Sequence, residues 1–341
     1  PSHQSSSGFQ IALKLLRCGA RVIATSRFPQ DAARRFRELP DFPEWQNRLD
    51  IVGVDFRDIP SVERLAGFID STYSHLDILI NNACQTVRRP PAYYRHLLQG
   101  EGRTTTDPLL AMHTELEAQA THVPSLGDVA SPPTAPSTGP ATDVHGMAAS
   151  AAMSQLRLVA DETEEDKGLF PSAVDHHGQQ VDLRRTTSWV MKLDQVSTPE
   201  LAEVFAINTI TPFILNARLK SALSRSPHRP THIVNVSAME GKFYRHKTAN
   251  HPHTNMAKAA LNMMTRTSAQ DYMKEGILMN AVDTGWINDE NPVHVAADLA
   301  ARTGFQTPID EVDAAARVLD PVFNGSLDFG KFYKDYAETS W

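Results

Sequence analysis

Three apolar runs each end in residues that could do chemistry. Leu76-Asp77-Ile78-Leu79-Ile80 stops abruptly at Asn81-Asn82-Ala83. ARVIAT (20–25) is followed by Ser26-Arg27, and LDIVGVD (49–55) ends at Asp55 with Phe56, Arg57 and Asp58 behind it. Runs of this kind, β-branched at Ile78 and Ile80, suit strands buried on both faces of a parallel sheet. Such sheets bind ligands at the carboxyl ends of their strands. An acidic residue at the second strand's edge would bind a ribose 2′-hydroxyl, whereas the basic Arg27 suits a 2′-phosphate. His113, His122, His145, His176 and His177 match no metal-ligand spacing, so no metal site is expected.

The elements that must position these residues alternate helix and strand. FQIALKLLRC (9–18) has helical apolar spacing and stops at Gly19. Helices are expected over 28–39 and 60–74, with Asp58 capping the second ahead of Pro60. Thr198 caps a further helix with Pro199 at its first position, and that helix carries Asn208. THIVNVS (231–237) and GILMNAVDTGWI (276–287) read as strands with their edge loops, GKFYKDY (330–336) as a last strand, and 254–273 and 309–323 as helices. Six strands are expected, at 20–25, 49–54, 76–81, 231–237, 277–283 and 331–336.

Between the two halves the pattern collapses. Residues 99–165 are rich in Thr, Ser, Ala, Pro and Gly, then turn acidic at 161–167. This composition predicts a disordered or loosely ordered insertion, with short helices at PLLAMHTELEAQA and AASAAMSQLRLV. A small hairpin is expected over 174–183. A net charge of −7 argues against nucleic acid or an anionic membrane as partner. No apolar run approaches the ~18 residues of a membrane span. Cys18 and Cys84 fall in predicted core elements, which points to a reduced, cytoplasmic protein.

Over about 8–87 and 185–337 the chain resembles the short-chain dehydrogenase/reductase family. Strand-then-NNA, NVSAMEG at 235–241, the helix Lys258 and NAVDTGWI at 280–287 carry the resemblance. It implies a Rossmann-like, doubly wound, mainly parallel α/β sheet in three layers. Residues 1–98 and 166–341 would be its two halves, with 99–165 inserted. Gly8 matches the last glycine of the phosphate loop T-G-x-x-x-G-x-G, whose other glycines fall on Ser2 and Ser6, and the first strand would lie upstream of Pro1. The implied activity is hydride transfer between a nicotinamide and an alcohol or carbonyl compound. NADP(H) is the preferred cofactor and NAD(H) the alternative. The implied cofactor residues are Gly8, Ser26, Arg27, Asp55 (against adenine), Asn81, Ala83, Lys258, Gly285 and Ile287. A homodimer or homotetramer would pair the helices at 199–222 and 254–273, with Leu261, Met263 and Met264 offering apolar surface.

The family works with Asn, Ser, Tyr and Lys. Asn208, holding a proton-relay water, and Lys258 match. The serine position is Ala238, leaving only the neighbouring Ser237, and the tyrosine position is Thr254. A threonine hydroxyl is too weakly acidic to replace a phenol. The loop KFYRHKTANHPH offers two substitutes. Tyr244 beside Lys258 would reproduce a tuned phenol and is preferred; His253, which titrates near neutrality, is the other. A cofactor-binding pseudoenzyme, a sensor or scaffold, is the alternative reading.

Overall fold

The computed structural model describes residues 6–98, 100–102, 106–120, 149–156, 158, 168–171, 173, 180–244, 246–287, 290–291, 293–304 and 307–341. Helix α1 (Ser7–Arg17) buries Ile11, Ala12, Leu15 and Leu16 along one face. It ends at Gly19, whose φ of 91° is the left-handed turn that glycine takes without strain. Then come β1 (Val22–Ser26), α2 (Pro29–Arg37), the short α3 (Phe42–Trp45), β2 (Leu49–Gly53), α4 (Ile59–Thr72) and β3 (Ile78–Asn81). Helices α5 (Ala111–Ala120) and α6 (Ala149–Ala152) precede α7 (Thr198–Phe205), a π-helical turn (Ala206–Ile210), α8 (Thr211–Arg218) and α9 (Lys220–Ser224). The chain closes with β4 (Thr231–Ser237), α10 (Pro252–Met273), β5 (Ile277–Asp283), α11 (Val293–Thr303), α12 (Glu311–Phe323), β6 (Phe332–Lys334) and β7 (Ala337–Thr339).

The architecture is α/β and mainly parallel, as expected, but the strands form two sheets. Strands β1 and β2 pair in parallel, Val22 opposite Leu49. The other sheet runs β3-β4-β5-β6-β7, parallel through β6. The expected strand over 331–336 is shorter. Asp335 and Tyr336 adopt φ of 51° and 62° and turn the chain back as antiparallel β7.

The chain divides into two compact units, and the division falls within α1. The larger comprises Pro1–Leu15, Phe56–Arg89 and Leu158–Trp341, the smaller Leu16–Asp55 and Pro90–Arg157. This differs from two sequential halves around a loose insertion. In the larger unit β4 and β5 are buried at every position, the mark of central parallel strands. Leu223, Ile233, Ala269, Ile277 and Met279 form a core there. Its caps differ slightly from expectation. Ser197, not Thr198, caps α7, accepting from the Glu200 N–H at 3.3 Å. The Asp58 carboxylate takes the Ser61 hydroxyl rather than a backbone N–H of α4.

In the smaller unit the described part of 99–165 is packed. Leu109, Leu110, Met112 and Leu116 are buried. His113, fully buried, accepts from the Gly53 N–H through Nδ1 at 3.2 Å and so caps a backbone donor at the end of β2. Glu101 accepts from Gln30 N and Asp31 N, at 3.3 and 2.9 Å, at the positive end of α2. The short helix expected at PLLAMHTELEAQA is present as the turn Pro108–Leu110 and α5, but averaging composition over 99–165 hid its packing; residues 121–148 lie outside the described residues, as do 174–179 of the expected hairpin. Cys18 and Cys84 are free and exposed rather than in the core.

Candidate functional site

The strand ends of the larger unit gather the residues singled out in the sequence, and period-two alternation sorts them. Asn81 points inward. Its Nδ2 donates to Asn216 Oδ1 at 2.8 Å and to Asn235 Oδ1 at 2.7 Å, and Asn235 Nδ2 donates to Thr265 Oγ1 at 2.9 Å. This buried network ties β3 and β4 to α8 and α10 through the Asn81 side chain. Its neighbour Asn82 faces α1: a Cβ on Gly8 would lie 2.8 Å from Asn82 Nδ2, and Ser7 Oγ donates to Asn82 Oδ1 at 3.2 Å. A Cβ on Gly8 would have to push the Asn82 amide aside, so glycine lets the start of α1, where Ser6 Oγ accepts from the Phe9 N–H at 3.2 Å, meet the strand end directly. Ala83 is exposed beside it.

Asn208 sits in the π-helical turn and is 1% exposed. Its amide clamps the main chain after β3, with Nδ2 donating to Gln85 O at 2.7 Å and Oδ1 accepting from Gln85 N at 3.0 Å. Both side-chain atoms are therefore used on the backbone, and the amide fixes the segment after β3. Gln85 Nε2 also reaches Glu203 Oε2 at 3.0 Å, where Arg57 and Arg88 pair with the same carboxylate at 2.9 and 3.2 Å.

Lys258 and the two candidate hydroxyls separate. Lys258, 3% exposed, donates from Nζ to Val236 O at 2.9 Å. Ser237 is buried and gives its hydroxyl to Asn262 Oδ1, into α10 and away from the strand end. Tyr244 is 55% exposed and accepts from Lys242 Nζ at 3.0 Å. The phenol expected beside Lys258 meets Lys242 instead. Gly241 is required by packing: a Cβ there would lie 2.8 Å from the Lys258 carbonyl group.

The head of α10 holds what stands at the tyrosine position. His251 adopts φ 40°, stacks on Trp189 at 4.0 Å and bonds Trp189 O through Nδ1 at 2.7 Å. Behind it His253 and Thr254 are 2% and 1% exposed. Thr254 Oγ1 lies 3.5 Å from His253 Nε2 and 3.4 Å from Thr86 O. His253 Nδ1 is buried with no hydrogen-bond partner. Burial, helped by the nearby His251, pushes the His253 imidazole down to about 4, so it is neutral near pH 7.

At the end of β5, Gly285 adopts φ 83° and its N–H binds Asp283 Oδ1 at 2.8 Å, while Lys334 pairs with Asp283 Oδ2 at 2.9 Å. Ile287 is half-buried and Trp286 exposed.

In the smaller unit, Ser26 closes the end of β1 by accepting from Phe28 N at 3.0 Å. The Arg27 guanidinium lies over the Tyr94 ring at 4.7 Å and donates to the Tyr94 hydroxyl at 3.3 Å. Tyr94 was not singled out from the sequence; it lies in RRPPAYYRHLL (88–98), at the end of the expected first half. Asp55 is 1% exposed.

A family model described as short chain dehydrogenase matches residues 4–95, and one described as enoyl-(acyl carrier protein) reductase matches residues 174–318. An uncharacterized protein of Acanthamoeba polyphaga mimivirus is 26% identical over 346 residues, spanning 97% of this chain. The chain spans 63% of the length of that curated relative. A solved structure of NADPH-bound carbonyl reductase from chicken fatty liver is similar with a TM-score of 0.56 and 17% identity, covering 99% of this chain and 96% of that one. A Pseudomonas aeruginosa RhlG/NADP active-site complex is similar with a TM-score of 0.55 and 17% identity, covering 96% and 90%. At such identities these two likenesses are of fold.

Proposed function

The chain belongs to the short-chain dehydrogenase/reductase family, and from that premise we propose that it binds NADP(H) and interconverts an alcohol and a carbonyl compound, with proton handling moved to His253. The observation that carries this reading is the buried pair at the head of α10: a neutral imidazole with one nitrogen unpartnered and the other 3.5 Å from the Thr254 hydroxyl. A buried polar atom without a partner is costly, and it marks a place where a water or a reacting group completes the site. The fit to the cofactor rests on the close approach of Gly8, at the start of α1, to Asn82 at the strand end. The start of α1 would hold phosphate, Arg27 the 2′-phosphate, and Lys258 the nicotinamide ribose.

The nicotinamide supplies or accepts hydride. The chain's own residues handle the proton. A threonine hydroxyl is no acid at neutral pH, but it can pass one proton on as it receives another. Thr254 would give its proton to the substrate oxygen as it takes one from His253 Nε2–H, and a water admitted beside the buried Nδ1 would return a proton to the ring. Asn208 holds the 85–86 backbone against which Thr254 rests. Turnover of NADPH with a panel of carbonyl compounds tests this, and His253→Ala should lower kcat by ~100-fold while sparing NADPH affinity.

A second reading, a nucleotide-binding pseudoenzyme, has its own observation. Lys258 is engaged by Val236 O, and the hydroxyl of Tyr244 by Lys242. Saturable NADPH binding with no turnover on any carbonyl compound would select it.

A further inference from the structure

The amino ends of β3 and β4, opposite the edge described above, bring together a different chemistry. His75, Asp77 and His228 place three donor atoms within 4.8 Å of one another. The sheet register causes this. Ile78 pairs with His232 and His232 N donates to Asp77 O at 2.9 Å, so the lead into β3 lies beside the turn that enters β4. More than 150 residues separate His75 from His228 in the chain, so no sequence spacing reveals the cluster.

Two of the three side chains, His75 and Asp77, are held by the atom that faces away from the cluster. His75 Nδ1 is 2.9 Å from Ser74 Oγ, which leaves Nε2 directed at Asp77 Oδ2, 3.7 Å away and too far for a hydrogen bond. Asp77 Oδ1 accepts from Ser226 Oγ at 2.5 Å, which leaves Oδ2 for the same space. Ser226 also accepts from the His228 N–H at 2.9 Å, fixing the turn. The two imidazole rings lie 5.8 Å apart, tilted by 60°. Hydroxyls hold the second atom of His75 and of Asp77, and such contacts are the usual supporting shell of a metal site. The nearby Arg225 does not supply the missing cation, because it is spent on the Asp70 carboxylate and on the carbonyls of Ser74 and Asp70. Two imidazoles and one carboxylate are too nitrogen-rich for calcium or magnesium and match zinc, with a fourth position left for water.

We infer that His75, Asp77 and His228 bind one Zn²⁺, clamping the lead into β3 to the turn before β4. The inference stands apart from the proposed oxidoreductase activity.

The test uses the full chain, stripped with chelator, and Zn²⁺ titrated in competition with a chromophoric chelator. Wild type should take up a zinc equivalent that His75→Ala, His228→Ala and Asp77→Asn each lose. Ser74→Ala should weaken it by about tenfold, and His246→Ala, at an exposed histidine elsewhere, should leave it unchanged. Zinc should also raise the unfolding midpoint of wild type and not of His75→Ala. The two histidines and the aspartate are partly exposed, and unaltered circular dichroism would establish that the variants fold. Identical zinc uptake by wild type and His228→Ala, or no saturable uptake at all, would overturn the assignment.

Discussion

Replacing Tyr244 by phenylalanine separates structure from catalysis in a single variant. The hydroxyl accepts one bond, 3.0 Å, from the Lys242 ammonium. Lys242 keeps two further acceptors, Thr339 Oγ1 at 2.8 Å and Ser340 O at 2.6 Å. The ring is more than half exposed, so water can replace the lost oxygen. The cost in stability is therefore that of a partly solvated hydrogen bond, ~0.5–1 kcal/mol. If Tyr244 were the proton donor, its loss would raise the barrier by about 3 kcal/mol or more, which is ~100-fold in kcat. The two quantities move oppositely under the two assignments. Denaturant unfolding measures the first, and single-turnover oxidation of NADPH with the best carbonyl substrate measures the second. We expect a small loss of stability and a rate within about twofold of wild type. A fall in kcat of ~100-fold or more, with NADPH affinity and stability intact, would refute the placement of Tyr244 at Lys242 as its working position.

Other outcomes follow from single sites. Arg27→Ala should weaken NADPH by about tenfold or more and NADH little, because only the former carries the 2′-phosphate that a guanidinium bonds; equal losses would remove the cofactor preference. Glu101 is pushed up to about 7 by burial, against the two N–H groups it accepts from. An acid raised on folding costs stability when it ionises. Stability should therefore fall as pH rises from its unfolded value towards 7, by at most about 3 kcal/mol, and Glu101→Gln should flatten that limb of the urea midpoint against pH. Burial lowers His253 in the same way that it raises Glu101, so protonating it opposes folding: stability should drop as pH falls below ~6.5 towards 4, and less so in His253→Ala. Ile210, Phe213, Met256 and Met263 are exposed apolar residues on the π-helical turn, α8 and α10. Sedimentation should report a dimer that Phe213→Glu with Met263→Glu dissociates.

The sequence read best where burial on both faces leaves no ambiguity. Strands β4 and β5 came out with their observed bounds, β5 (ILMNAVD) from its apolar run and β4 (THIVNVS) from β-branched residues set among polar ones. Polar residues at strand ends read worst. Asn81 and Asn82 are the same residue type, yet one closes a buried amide network and the other faces α1. Ser237 and Ala238 fail in the same way. A one-residue step along a strand reverses the face, so the hydroxyl beside the vacant serine position points into α10 at Asn262 instead of to the strand end. The short helix at 108–120 was expected, but its packing was hidden by averaging over a polar segment, and the histidine cluster by sequence separation. Leu261, offered as interface surface, is core at 1% exposure, whereas Met263 is exposed.

The long loop between β4 and α10 looked like a device for carrying a phenol towards Lys258, and the burial of Lys242 explains why it does something else. Lys242 is 1% exposed, and an ammonium so placed must find acceptors or lose its charge. It finds three oxygens, from Tyr244, Thr339 and Ser340, and the face of the Phe332 ring at 4.5 Å. Two of those oxygens belong to the chain end that β7 leads into, so the cation ties the loop to the last hairpin of the sheet. Drawing Tyr244 towards Lys258 would strip an acceptor from a charge already out of water. The loop is thus committed by its own lysine. A proton for chemistry at Lys258 then has to come from α10 itself, where His253 and Thr254 stand within one and a half turns of the lysine. That geometric elimination, rather than any acidity of the threonine, is why the histidine variant is the decisive one for the enzyme reading.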